Sequence, residues 1–307
     1  MRLKRLFLTS SVAFLASAAP VFANKPTDRG IWLQEAATPV MEQLTWLHNF
    51  VSWIILAIVL FVMALMGYIM IRFNEKANPV PSKTTHHVGL EVAWTIVPII
   101  ILLVMVVPSM KLLYYQDALP ETDMTIKVTG NTWSWEYAYP DFEDNVESYI
   151  SNVIDLELSE KLNLSASEIV AKIDSRTDED VNKGNLRLNG KPYLLATDAP
   201  LVVPVDTKIK VLVTSSANLH AFAVPAFGVK MDAVPGRINE TWFEVLPGKE
   251  GTYYGQCSEL CGVDHYKMPI EVEVVSKAEF NRWVLNGGSF TTDVAHLSGG
   301  LATAAQK

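Results

Sequence analysis

Residues 257–274 read C-S-E-L-C-G-V-D-H-Y-K-M-P-I-E-V-E-V. The pattern changes at Pro269. After it, Ile270, Val272 and Val274 alternate with Glu271 and Glu273, the period-two signature of a β-strand. Before it, twelve residues hold the chain's only two cysteines, Cys257 and Cys261, followed by His265 and Met268. Two thiols, an imidazole and a thioether make a soft donor set, which suits copper better than calcium, magnesium or manganese.

The alternation recurs upstream in Met124-Thr125-Ile126-Lys127-Val128 and in Lys208-Ile209-Lys210-Val211-Leu212-Val213, with Gly, Pro, Asn and Asp between the runs. Short period-two runs separated by turn residues predict an all-β sandwich or barrel over residues 115–285. Ser159 to Lys183 breaks the pattern and is expected to be a helical or irregular insertion, within about 150–190. Its Asp178-Glu179-Asp180 marks it as surface. Ser276-Lys-Ala-Glu279 is a capping-box pattern that predicts a last helix ending near Gly287-Gly288. Residues 286–307 are small and polar, as expected of a flexible tail.

Further upstream the composition changes. Half of the 307 residues are hydrophobic, which points to membrane segments. Met1-Arg2-Leu3-Lys4-Arg5, an apolar Leu6–Ala19 and Val21-Phe22-Ala23 predict a secretory signal peptide over residues 1–23. The competing reading, an uncleaved anchor, is disfavoured by the short apolar run and by Pro20. Residues 24–114 are expected to form a transmembrane hairpin, because Phe50–Ile71 and Val92–Met110 carry no charge and approach the ~20 residues a bilayer needs. Between the first span and Glu91, which opens the second, lie Arg72, Lys76 and Lys83 against the single acid Glu75, so the connecting loop should face the cytoplasm. Everything after Lys111 then faces outward, in a bacterial inner membrane the periplasm.

That outer part is acidic, with 27 Asp and Glu against 15 Lys and Arg over residues 115–285. Such a surface repels nucleic acid and attracts basic proteins. Asp141, Glu143, Asp144 and Glu147 follow directly on the aromatic run Trp133-Ser-Trp135-Glu-Tyr137-Ala-Tyr139, which marks them as candidate docking acids.

The loop itself has rival readings. A Cys257–Cys261 disulfide fits an oxidising compartment but leaves His265 and Met268 as coincidences. Zinc prefers Cys and His, and Met is a poor ligand for it. A mononuclear blue-copper site uses two His, one Cys and a weak axial Met. Cys261, His265 and Met268 have that order, and His220 supplies the upstream imidazole. Cys257 is then surplus, whereas two thiolates could bridge two copper ions, each with one histidine. Met268 and a backbone carbonyl of the loop, with Glu259 the first choice, would complete the outer positions. Such a pair would relay electrons rather than catalyse a reaction.

The segments A-F-G-V-K-M-D-A-V-P-G-R-I-N-E-T-W-F and G-T-Y-Y-G-Q-C-S-E-L-C-G-V-D-H-Y-K-M-P-I, with V-T-G-N-T-W-S-W-E-Y and the two spans, resemble subunit II of bacterial and mitochondrial cytochrome c oxidase. The resemblance implies a cupredoxin-like Greek-key barrel behind a two-helix anchor, carrying the binuclear CuA centre on His220, Cys257, Glu259 (through its carbonyl), Cys261, His265 and Met268. It implies a haem-bearing catalytic subunit I as partner, cytochrome c as electron donor, and oxygen reduction coupled to proton pumping. Trp133 matches the aromatic through which the family receives electrons; the alternative is an ordinary core aromatic. Ser134 stands where many relatives have tyrosine.

Glu259 has two roles open, a side-chain ligand of an interfacial Mg or Mn ion or a surface-loop acid. Glu91, at the inner end of the second span, resembles the cytoplasmic mouth of the proton path, and an acid at that depth is functional by default. His86 matches a neighbouring histidine there, and a solvated loop is the equal alternative. His48 and His296 fall in no metal-like pattern. Two other functions compete with this reading: a quinol-oxidising relative, which lacks the copper ligands, and a copper chaperone, which needs a thioredoxin-like βαβ pattern that this sequence does not show.

Overall fold

The computed structural model describes residue 26 and residues 30–154, 187–188, 191–192 and 194–290. The expected signal peptide (1–23), the Ser159–Lys183 stretch, His296 and the tail beyond residue 290 lie outside the described residues.

Two long helices lead the chain, α1 (Pro39–Arg72) and α2 (Val88–Asp117). Both are long and apolar enough to cross a bilayer, and none of their most apolar stretches is buried within the chain. They overrun the uncharged runs at both ends. The 34 residues of α1 span about 50 Å at ~1.5 Å per residue, well beyond a hydrocarbon core of ~30 Å. Its start is set by Thr38, whose side chain accepts the Met41 N–H at 3.1 Å, and by Pro39 at the first helical position. At its other end Asn74 donates to the carbonyls of Met70 and Ile71, at 3.2 and 2.8 Å, and so closes the helix.

The outer turns of α1 belong to the β domain. Ala37 is a core residue, its N–H donating to Ala226 O and its carbonyl accepting from Leu246 N, both at 2.9 Å. Thr38 Oγ1 donates to Phe227 O at 2.7 Å, and Val40 and Met41 are buried. At the outer end of α2, Leu112 is buried and Tyr115 meets Trp242 edge-on, with ring centroids 5.6 Å apart. The division expected at residue 114 is therefore a change of solvent, not of packing.

The β domain has two sheets. β1 (Met124–Asn131), β2 (Ser134–Ala138), β3 (Tyr149–Ser151), β7 (Lys208–Ser215) and β10 (Asn239–Glu244) form the first, in the order β10-β7-β1-β2-β3. β6 (Leu201–Pro204), β11 (Gly251–Gln256) and β12 (Pro269–Val275) form the second, in the order β11-β12-β6. Two hairpins complete it, β4 (Arg187–Leu188) with β5 (Lys191–Pro192), and β8 (His220–Val224) with β9 (Val229–Ala233). β1 runs parallel to β7, and β6 parallel to β12. Every run whose alternation was noted in the sequence is a strand.

The inward residues of both sheets, among them Ile126, Val128, Trp135, Tyr137, Val211, Leu201, Ile270 and Val272, form one core. β12 departs from simple alternation. Glu271 is fully buried, and its carboxylate accepts the Thr197 N–H at 2.6 Å. The capping box at Ser276 is formed and opens α3 (Lys277–Leu285), whose Phe280, Trp283 and Val284 are buried. The first residues of the expected tail are still packed, since Gly288 N–H donates to Trp283 O at 3.0 Å.

Candidate metal centre

The twelve-residue loop sits between β11 and β12 and is closed at its base. Gln256 pairs with Pro269 at the end of the ladder, and Cys257 N–H donates to Met268 O at 3.0 Å. Within it, Gly262 adopts φ +125°, a conformation that suits glycine. His265 opens a single 3₁₀ turn, His265–Lys267, and Met268 follows directly on it.

The second donor segment comes from the first residue of β8. His220 is fully buried, seated over Gly130 of β1 so closely that a Cβ there would lie 2.8 Å from its Cδ2. A glycine inside a strand marks such close approaches. Gly255 has the same character, since a Cβ on it would lie 2.0 Å from Ala223 O. Trp135 meets the His220 ring edge-on, with centroids 6.0 Å apart.

These elements bring five of the sequence-derived donors to one place. Cys257 Sγ lies 3.9 Å from Cys261 Sγ, 3.8 Å from His220 Nδ1 and 3.3 Å from the Glu259 carbonyl oxygen. Cys261 Sγ lies 3.5 Å from His265 Nδ1. The ligand atoms of His220, Cys257 and Cys261 all fall within 4.8 Å of one another. Met268 is buried in the same core cluster as both cysteines. Both cysteines are free, and their separation is far from the ~2.05 Å of a disulfide.

The electrostatics favour a soft cation. Burial, and then the charge of His265, lower the pKa of His220, which keeps its imidazole neutral as a metal ligand must be. Its Nε2 is buried with no hydrogen-bond partner among the described residues. Burial, and then the neighbouring Cys257, push the Cys261 thiol up to about 12. At neutral pH Cys261 therefore holds a proton that a bound cation must displace. Two thiols, two imidazoles, a thioether and a carbonyl fit copper by donor type.

Trp133 stands beside the loop. The strand alternation put it on a face with Trp135 and Tyr137, which are both fully buried. Trp133 instead lies in the turn between β1 and β2, half-buried. Its Nε1–H donates to Cys261 O at 3.2 Å, and its ring packs over Gly262. Asn218 donates to the same carbonyl, also at 3.2 Å. Sequence reasoning passed over Asn218 and Gly130. The glycine interrupting an alternating run was the available signal for Gly130, and Asn218 carried none.

The remaining sites lie elsewhere. Glu259 has an exposed side chain, while its carbonyl faces the sulfurs. Asp141, Glu143, Asp144 and Glu147 are all exposed, but β2 doubles back along β1 and carries them away from Trp133. Asp141 accepts the Thr125 N–H at 2.6 Å, at the start of β1. Thr125 and Asn131 are six residues apart, about 20 Å at ~3.3 Å per residue. Glu91, at the far end of α2, accepts the His87 N–H at 3.3 Å and so helps to cap that helix. Near it the exposed His86 touches Thr85 Oγ1, at 3.4 Å.

A two-helix membrane anchor bearing a cupredoxin-like β domain, with a soft-ligand centre at one end, is the class that fold and site define. Comparison with known proteins agrees with it. Residues 124–275 match the model of the cytochrome c oxidase subunit II periplasmic domain, and residues 26–112 that of the subunit II transmembrane domain. A probable cytochrome c oxidase subunit 2 of Rickettsia prowazekii is 44% identical over 284 residues, covering 92% of this chain and 80% of the relative. Cytochrome c oxidase subunit 2 of Cereibacter sphaeroides is 41% identical over 269 residues, covering 87% and 84%. The solved periplasmic domain of subunit II from Bradyrhizobium japonicum is 41% identical, covering 55% of this chain and 96% of that one, with a TM-score of 0.40. The chain belongs to the cytochrome c oxidase subunit II family.

Proposed function

We propose that this chain is the electron-accepting subunit of a haem–copper oxidase in a bacterial inner membrane. It would take electrons from cytochrome c and pass them to haem in catalytic subunit I, where oxygen is reduced with proton pumping. The observation that carries the reading is the convergence of two thiols, two imidazoles and a carbonyl from two separated segments within hydrogen-bond range. His220, Cys257, Cys261, His265, Met268 and the Glu259 carbonyl would hold two copper ions, the CuA centre. When bound, such a pair supplies one-electron storage with little reorganisation.

The chain's own residues supply the rest. Cys257 and Cys261 would hold the metal as thiolates, in a buried setting that limits access of water. Burial favours the neutral form of His220, and its ring packs against Gly130 and Trp135. Trp133, joined to Cys261 through one hydrogen bond, offers a short route from the surface to a ligand. Leu260 and Val263, 77% and 82% exposed, give the loop an apolar rim fit for a partner's surface. Glu91 and His86, at the inner end of α2, would mark the mouth of the proton path, and the exposed Glu259 side chain is free to take an interfacial Mg or Mn ion. The docking acids would act as a field at a distance, not as contacts beside Trp133.

The test is copper stoichiometry of the full-length chain in detergent, because residues 37–41 are part of the β-domain core. The expectation is two coppers per chain for the native sequence and fewer for Cys257→Ser. One copper in the native chain, or loading unchanged by Cys257→Ser, contradicts the reading.

A further inference from the structure

Beyond the metal donors, the residues around the Cys261 carbonyl form a closed circuit. Trp133 Nε1–H and Asn218 Nδ2–H both donate to Cys261 O, each at 3.2 Å, so both lone pairs of that oxygen are used. Asn218 is itself held from behind, because Ser215 Oγ lies within hydrogen-bond range of both the Asn218 and the Gly130 carbonyls and shares its one proton between them. Ser216 N–H donates to the same Gly130 carbonyl, again at 3.0 Å. Gly130 lies under His220 and is followed three residues later by Trp133, which closes the ring.

We propose that Asn218 is a positioning residue that clasps the histidine segment to the cysteine loop and fixes Trp133 against Cys261. Four observations carry this. Asn218 stands two residues before ligand candidate His220. Its partner is the backbone of ligand candidate Cys261, 43 residues away. The loop it holds is exposed at Leu260, Gly262 and Val263 and so has little packing of its own. And it shares its acceptor with the aromatic on the route inward. Removing the donor leaves the Cys261 carbonyl one hydrogen bond short and lets residues 259–263 lift from His220. The sulfur of Cys261 and its contact with Trp133 then lose their fixed geometry.

The inference rests on the copper reading for its functional meaning, but its structural half is readable without metal. The experiment compares native full-length chain with Asn218→Leu and Asn218→Asp, both close in size and both lacking the amide donor. In the metal-free chain the alkylation rate of Cys261 by iodoacetamide is followed by mass spectrometry, alongside the melting temperature. Alkylation should speed up between about twofold and tenfold, the scale of one lost hydrogen bond, in both variants alike and with the melting temperature retained. In copper-loaded chain the hyperfine pattern should change, and in the assembled oxidase electron uptake should slow. Unchanged alkylation in both variants overturns the clasp. Faster alkylation accompanied by a lowered melting temperature, with an unchanged copper spectrum, also overturns it, because Asn218 would then serve only stability. If the native chain binds no copper, the proposed function fails while the alkylation result still decides the clasp.

Discussion

Trp133 and Trp135 are two residues apart, and their spacing alone does not tell their roles apart; only the family resemblance singles out Trp133. The backbone separates them. Trp135 enters β2 and is fully buried against His220 and Phe222, whereas Trp133 stays in the preceding turn with its indole N–H on the Cys261 carbonyl. Replacing Trp133 by Phe keeps an aromatic body and removes only the donor; replacing it by Ala removes both. Trp133→Ala should slow electron uptake from cytochrome c severely in stopped-flow measurements on the assembled oxidase, with Trp133→Phe in between. The copper spectrum should stay nearly native in both. A collapse of that spectrum would make Trp133 a core residue. Cys257, Cys261, His265 and Met268 were legible because they are close in sequence and chemically unusual. Asn218 was not, because an asparagine before a strand is ordinary and its partner lies in another loop.

Among the elements, the strands and the last helix followed from local pattern: alternation for β1, β7 and β12, and the Ser276–Glu279 pair for α3. The outer start of α1 did not. Residues 39–49 are not uniformly apolar, and they are helical because Thr38 caps them and the β domain covers Val40 and Met41. The burial of Glu271 was equally hidden, since nothing in I-E-V-E-V says that Thr197 donates to it. The insertion leaves and returns through a closed stalk. Val153 bridges to Thr197, Ile154 N–H donates to Ala196 O at 2.9 Å, and Asn152 N–H donates to Asp198 Oδ1 at 2.7 Å. Its ends are therefore adjacent, and closing a shorter loop between them costs little entropy. Replacing residues 155–193 by a short glycine-rich turn should leave copper content and thermal stability close to native. Loss of copper on excision would mean that the insertion supports the centre directly.

For the whole molecule, the proposed orientation puts the basic connecting loop inside and the acidic β domain outside. The candidate docking acids begin at Asp141, about 20 Å along β1 from the Trp133 turn, beyond the ~8 Å screening length at physiological ionic strength. Their contribution must be a long-range field. Neutralising Glu143, Asp144 and Glu147 together should lower the association rate with a basic cytochrome c at low salt, with the difference fading toward physiological salt. A deficit that persists at high salt would make them contact residues. The fold as a whole was legible once the resemblance was drawn, but the shared core of residues 37–41 was not. The central claim is that two thiols and two imidazoles hold a pair of copper ions as one redox unit. The EPR spectrum of the copper-loaded, full-length chain tests it most directly. One unpaired electron coupled equally to two copper nuclei, with that coupling lost in Cys257→Ser, is the predicted result; a spectrum of a single copper nucleus in the native chain would contradict it.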